Sequence, residues 1–186
     1  MNLQPRAEVL AVVEARVANE NLRRHMLATE AIMRGLAARL GEDPELWGLA
    51  GLAHDLDAEE TTGDFARHGA AAAETLRAMG VPEDAVHAVA AHNPLTGAPV
   101  ESRLDVALLS ADQLSGLITA AALVRPEKDL AGVKLKSLRK RFRESAFARG
   151  VDREAIARSA ELDLELDEFL SVGLEAMQSV SDELGL

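Results

Sequence analysis

Six side chains between residues 25 and 112 are of types that hold divalent metals, and they come in a set order. They are His25, the adjacent His54 and Asp55 in "LAGLAHDLDAEE", His68, His92 and Asp112. Imidazole nitrogens and carboxylate oxygens without thiolates suit Mn, Fe, Mg, Ni or Co, with Zn also accommodated. The sequence has no cysteine, so thiolate metal sites and disulfides are both excluded. A divalent ion in such a set lowers the pKa of its water. The fifth histidine, His87, follows Glu83 and Asp84 by one turn, which puts it on a polar face and predicts a solvated side chain.

Positioning these residues falls to helices. Alanine, leucine, glutamate and arginine dominate and β-branched alternation is scarce, so the expected fold is all-α. A first helix is expected over about residues 5–18. A second runs from near Asn21 to Leu40 and is closed by Gly41. Asp43 as N-cap and Pro44 at the first position start a third, which should reach His54 and Asp55. After the loop "DAEETTGDF" come a helix from about Asp64 to Met79 and a short one from Pro82 to His92. A long apolar helix in "ESRLDVALLSADQLSGLITAAALV" carries Asp112, and Pro126 separates off a final helical portion.

On these helices the candidates face inward. His25 lies on the stripe Leu22, Thr29, Ile32, Leu36, and His54 follows Trp47, Ala50 and Gly51. His68 leads Ala72, Thr75, Leu76 and Met79, while His92 closes Ala85, Val86 and Val89. Asp112 sits one turn after Leu108 with no lysine or arginine between Arg103 and Arg125, so its charge lacks a local partner. Each residue has a plainer account: a lone histidine on an apolar stripe can be a hydrogen-bonded core residue, "HD" can cap a helix, and Asp112 can meet a distant arginine. Independent plain accounts for all six together are much harder to sustain.

Length and composition, 186 residues with 48% hydrophobic, fit one globular domain spanning residues 1–186. The formal net charge of -11 argues against nucleic-acid polymers and anionic membranes as partners. "MNLQPRAEVL" lacks the form of a signal peptide, and no stretch approaches the roughly 18 apolar residues of a membrane span, so a cytoplasmic setting is expected. The stripe Leu166, Phe169, Leu170, Leu174, Met177 is expected to pack on its own domain, with a homodimer as the alternative.

The ordered pattern His25, His54-Asp55, His68 in "RHGAAAAETLRAMGVPEDAV", His92 in "AVAAHNP" and Asp112 in "LLSADQL" resembles the HD superfamily of metal-dependent phosphohydrolases, in its HDIG form, over about residues 20–120. The resemblance implies an HD-domain helical bundle with additional C-terminal helices over about 126–186. It also implies a metal held by His25, His54, Asp55 and Asp112. In two-metal members Asp55 bridges and His68 and His92 hold the second ion. Phosphoester hydrolysis of a nucleotide or related small metabolite by metal-activated water follows, with Asp55 and His54 as the catalytic pair. Two departures accompany it. The lysine that often follows three positions after the aspartate is Ala58 here, with acidic Asp57, Glu59 and Glu60 crowding the mouth or supplying an acid or base. Asn93 also stands where some two-metal relatives pair a second histidine with His92. The basic segment "GVKLKSLRKRF" offers Lys134 and Lys136 as substrate-phosphate contacts, or else a solvated face. Two other readings keep the same residues: an HD-fold di-iron oxygenase, and a non-catalytic metal-containing binding or regulatory module.

Overall fold

Side-chain caps set several of the helix starts. The computed structural model describes residues 6–186, so the expected helix start at residue 5 and the first half of "MNLQPRAEVL" lie outside the described residues. Helix α1 (Arg6–Arg16) leads to α2 (Glu20–Leu40), where Asn19 Oδ1 accepts from the amides of Asn21 and Leu22 and Gly41 at φ 75° closes the end. Asp43 does the same for α3 (Pro44–Ala53), with the proline at its first position. Then come α4 (Ala70–Ala78), α5 (Glu83–Ala91) and α6 (Arg103–Leu123), the last opened by a capping box between Ser102 and Asp105. The C-terminal part holds α7 (Leu135–Arg143), α8 (Arg153–Ala157), α9 (Leu166–Ser179) and α10 (Ser181–Leu184), with short 3₁₀ turns at Pro94–Thr96 and Arg158–Leu162. No strand occurs among the described residues, as an all-α fold requires.

Helix α2 is the hub, with α3, α6 and α9 packed around it. Ile32, Met33 and Leu36 from α2 meet Leu114, Leu117 and Ile118 from α6 and Phe169 and Met177 from α9 in one continuous core, all fully buried. Of the C-terminal stripe, Phe169, Leu170, Leu174 and Met177 are buried within the chain. Helix α6 is long and apolar enough by length and composition to cross a membrane, contrary to the sequence expectation. Most of it is buried under α2, α5, α7, α8 and α9, so its apolarity is that of a core helix.

One helix begins later than its apolar pattern suggests. Residues 54–68 wind through successive turns and α4 starts at Ala70, not near Asp64. Gly69 at φ 85° precludes a continuous helix through this point, and the Asp57 carboxylate takes the amides of Gly69 and Ala72 at 2.8 Å, doing the work of an N-cap. His68 therefore leads α4 from a turn.

The closest backbone approach that matters for the site is between α2 and α3. A Cβ on Gly51 would lie 2.9 Å from Glu30 N, Glu30 Cα and Thr29 O, all main-chain atoms that cannot move aside separately. Gly51→Ala is therefore expected to cost about 1–3 kcal/mol by forcing the two helices apart. Urea unfolding of the variant beside wild type checks this, and an unchanged midpoint would show that the contact is not needed.

Candidate metal centre

The structure brings all six candidates together at one end of the bundle. His25 lies in the second turn of α2, His54 caps the end of α3 with Asp55 next, His92 caps the end of α5, and Asp112 projects from mid-α6. His68 arrives from the turns before α4. On one side His25 Nε2 is 3.2 Å from His54 Nε2, 3.0 Å from Asp112 Oδ1 and 3.5 Å from Asp55 Oδ2. His54 Nε2 is 3.5 Å from Asp55 Oδ1 and 3.7 Å from Asp112 Oδ1. On the other side His68 Nε2 and His92 Nε2 are 3.1 Å apart, and 3.3 and 3.6 Å from Asp55 Oδ1. Metal–ligand bonds of about 2.0–2.2 Å at tetrahedral to octahedral angles separate neighbouring ligands by roughly 3.0–3.6 Å. Two groups thus have the dimensions to hold an ion, His25–His54–Asp55 and Asp55–His68–His92, and they share Asp55.

The outer ring nitrogens decide which way the lone pairs point. His54 Nδ1 donates to Gly51 O at 2.8 Å and His92 Nδ1 to Val89 O, and a carbonyl can only accept. His68 Nδ1 donates to Asp57 Oδ1 at 2.9 Å. Ser115 Oγ donates to Asp112 O at 2.8 Å, which leaves it to accept from His25 Nδ1 at 2.9 Å. Each neutral ring therefore carries its proton outward and turns an Nε2 lone pair inward, toward other lone pairs and two carboxylates. Acceptors facing acceptors at 3.1–3.2 Å are not hydrogen bonds, and a cation between them resolves the conflict. Among the described residues no lysine or arginine is ion-paired with Asp55 or Asp112, so the distant-arginine account of Asp112 does not hold. Gln113 Nε2 donates to Asp112 Oδ2 at 2.7 Å and fixes its plane.

With protons as the only cations, titration is strongly displaced. Burial pushes the Asp55 carboxyl up, but His54, His68, His92 and His25 outweigh it and hold it well below the ordinary carboxylate range. Asp112 is likewise held down, burial being overcome by hydrogen bonds from His25 and His54. Burial lowers the His54 imidazole, yet Asp55 and Asp112 leave it raised. Hydrogen bonds to Asp55 and then Asp57 push His68 up to about 10.

Several neighbours act differently from their sequence reading. Asp57 is buried, and it supports His68 and the start of α4 instead of crowding the mouth. Glu59 accepts from the amides of Ala18 and Asn19, tying the α1–α2 connection, and Glu60 pairs with exposed Arg67. Asn93 Nδ2 donates to Phe65 O at 2.6 Å and His68 O at 2.9 Å, so it clamps the His68 turn. His87 is half-buried and reaches buried Asp105 at 3.2 Å, which corrects its expected solvation. Lys134 and Lys136 are exposed at the start of α7, which packs on α9 and α6, and neither bonds to any residue of the cluster. Ser115 and Gly51 carried no sequence signal as supports: a serine and a glycine inside apolar helices look like packing residues.

Compared with known families, the chain matches the HD domain over residues 22–129, more than half its length, and it belongs to that family. Proteins of this family are in general metal-dependent phosphohydrolases. The chain is also similar to ribonuclease Y of Oleidesulfovibrio alaskensis, at 31% identity over 98 residues, 53% of this chain but 18% of that protein. The chain therefore spans under a fifth of that relative. No solved structure matches.

The pKa directions give the metal-free protein a defined pH window. Asp55 and Asp112 are depressed, so their stabilisation is present above their ordinary 3.8 and is lost as pH falls below it. His68 is raised, so its stabilisation is complete below 6.5 and is lost as pH rises toward about 10. Urea midpoints of chelator-treated protein are expected to be highest between about pH 4 and 6.5 and to decline on both sides. A midpoint that rises between pH 6.5 and 10 would contradict the His68–Asp55–Asp57 arrangement.

Proposed function

We propose that the protein is a metal-dependent phosphohydrolase that cleaves a phosphoester of a nucleotide or related small metabolite, using one or two divalent ions. The observation that carries this reading is the convergence of four outward-protonated imidazoles and two carboxylates with no basic side chain between them. In this reading His25, His54, Asp55 and Asp112 hold one ion, and His68 and His92 hold a second that shares Asp55. The donor set of nitrogen and oxygen without sulfur fits Mn, Fe, Mg, Ni, Co or Zn.

When bound, such ions supply an activated water and offset charge on the phosphoryl oxygens. The chain's own residues do the rest. Asp55 spans both groups, with Oδ1 toward His54, His68 and His92 and Oδ2 toward His25, so one carboxylate sets the spacing of the whole centre. His54 is fully buried and locked to Gly51 O, so it excludes solvent from the floor and keeps its inner lone pair aligned. Asp57 holds the outer proton of His68 and so keeps that ring basic toward the centre. A ribonucleic-acid phosphodiester is the second reading, favoured by the likeness to a ribonuclease over 98 residues.

The test is elemental analysis of protein purified without chelator, with wild type beside His54→Ala and His68→Ala, followed by hydrolysis assays with the metal found. Wild type is expected to hold about two equivalents, His68→Ala to lose about one, and His54→Ala most of both, with turnover of nucleotide esters falling at least about 100-fold in each. Turnover of RNA alone selects the ribonuclease reading. Iron with an optical change on adding substrate selects an oxygenase, and tight ligand binding without turnover selects a binding module. No metal in wild type, and none recovered on adding the six ions, overturns the proposal.

Proton competition gives a second expectation. His68 must shed its inner proton to accept a metal, and its pKa of about 10 lies above assay pH. Apparent affinity at the Asp55–His68–His92 half should then rise with pH from 6.5 toward 10, by up to about tenfold per unit. A competitive chelator titration reads this directly, and a pH-independent affinity would remove His68 from the ligand set.

A further inference from the structure

A cleft of about 470 Å³ opens directly beside the cluster, between the first turns of α2, the C-terminal half of α6 and residues 184–186. His25 belongs to both, and its side chain is 26% exposed where those of His54 and His92 are 0% and 4%. His25 is the most exposed of the six, with His68 and Asp112 at 18% and Asp55 at 14%, so the centre is reached most openly from the His25 side and is closed at its floor. We propose that this cleft receives the organic portion of the phosphoester, a nucleoside-sized group, and that Arg24 is a specificity-determining contact for it. The proposal rests on the hydrolase reading above.

Three observations support it. The cleft volume lies within the roughly 300–1,000 Å³ of small-molecule sites, larger than a phosphate needs. Among the described residues no aspartate or glutamate lines it, although the chain carries 31 of them and a net charge of -11. The Glu20 carboxylate stands at the edge of the cleft, 2.6 Å from Arg24, so the lining carries a paired guanidinium and not a surplus of negative side chains. The lining is also two-sided in chemistry: Ala28, Ala120 and Leu123 offer an apolar wall, while Asn21, Arg24 and Thr119 offer donors and acceptors. Leu123 is a large apolar side chain left 50% exposed there. A sugar joined to a flat base has faces for the first and edges for the second.

Among the described residues Arg24 is the one lysine or arginine of the lining. Exposed Glu20, one turn earlier on α2, pairs with it at 2.6 Å, and the space beside Gly185 is open to its guanidinium because that residue carries no Cβ. It places a cation beside His25 in a chain whose "HD" segment continues without a lysine, at Ala58. The exposed Lys134 and Lys136 do not line this cleft.

The test measures equilibrium binding of inorganic phosphate and of the nucleoside 5′-monophosphates to metal-loaded wild type, Arg24→Gln and Ala120→Trp, with metal content and thermal unfolding recorded for each. Wild type is expected to bind at least one monophosphate about tenfold or more tightly than phosphate. Both variants should lose most of that preference while keeping metal content, and Ala120→Trp should also keep phosphate affinity. Should Ala120→Trp prove unfolded, the more exposed Arg24→Gln carries the test alone. Metal and phosphate binding in wild type without any monophosphate preference, or a preference untouched in folded variants, overturns the cleft proposal and leaves the hydrolase reading standing. A wild type that binds neither metal nor phosphate overturns both.

Discussion

Six hydrogen-bond acceptors are forced to face one another across the end of this bundle, and much of the architecture around them resists their separation. Two carboxylates and four imidazole lone pairs cannot satisfy each other, and bringing them within 3.0–3.7 Å leaves a deficit that only cations remove. Such a cluster persists only if its members are held from behind. The holding is done by main-chain carbonyls at Gly51 and Val89, by the Asp57 carboxylate and by the Ser115 hydroxyl, one for each ring. Because each anchor accepts, each ring proton is turned outward. The polarity of the centre is thus set by residues that do not belong to it.

The same economy explains the acidic run after Asp55. Asp57, Glu59 and Glu60 stand together in sequence, yet the turns between α3 and α4 send them to different tasks: Asp57 caps α4 and steadies His68, Glu59 ties the α1–α2 connection, and Glu60 pairs with Arg67. Glu59 and Glu60 both stay exposed, and only Asp57 is buried. The basic helix α7 is likewise engaged in packing and surface pairing, with Arg139 on Asp167 and Arg141 on both Glu144 and the Phe147 ring. Positive charge beside the centre comes from Arg24, one residue before a cluster histidine in the short run Arg23-Arg24-His25.

The sequence by itself determined the helical class and much of the element order, because the N-cap at Asp43, the C-cap at Gly41 and the apolar stripes are local signals that survive in a 3.6-residue repeat. It also determined which six side chains to examine, since metal-grade residues on apolar faces stand out whatever surrounds them. It misplaced the start of α4 and the environments of Asp57 and His87, whose partners Gly69, Ala72 and Asp105 lie 12 to 18 residues away. Tertiary structure alone decided that the six converge, which nitrogen of each ring faces inward, that Gly51 and Asn93 make room for and clamp the site, and that a cleft lies against His25. Those facts depend on contacts such as Ser115 with His25, 90 residues apart, and no periodicity within one helix encodes the angle at which it meets another.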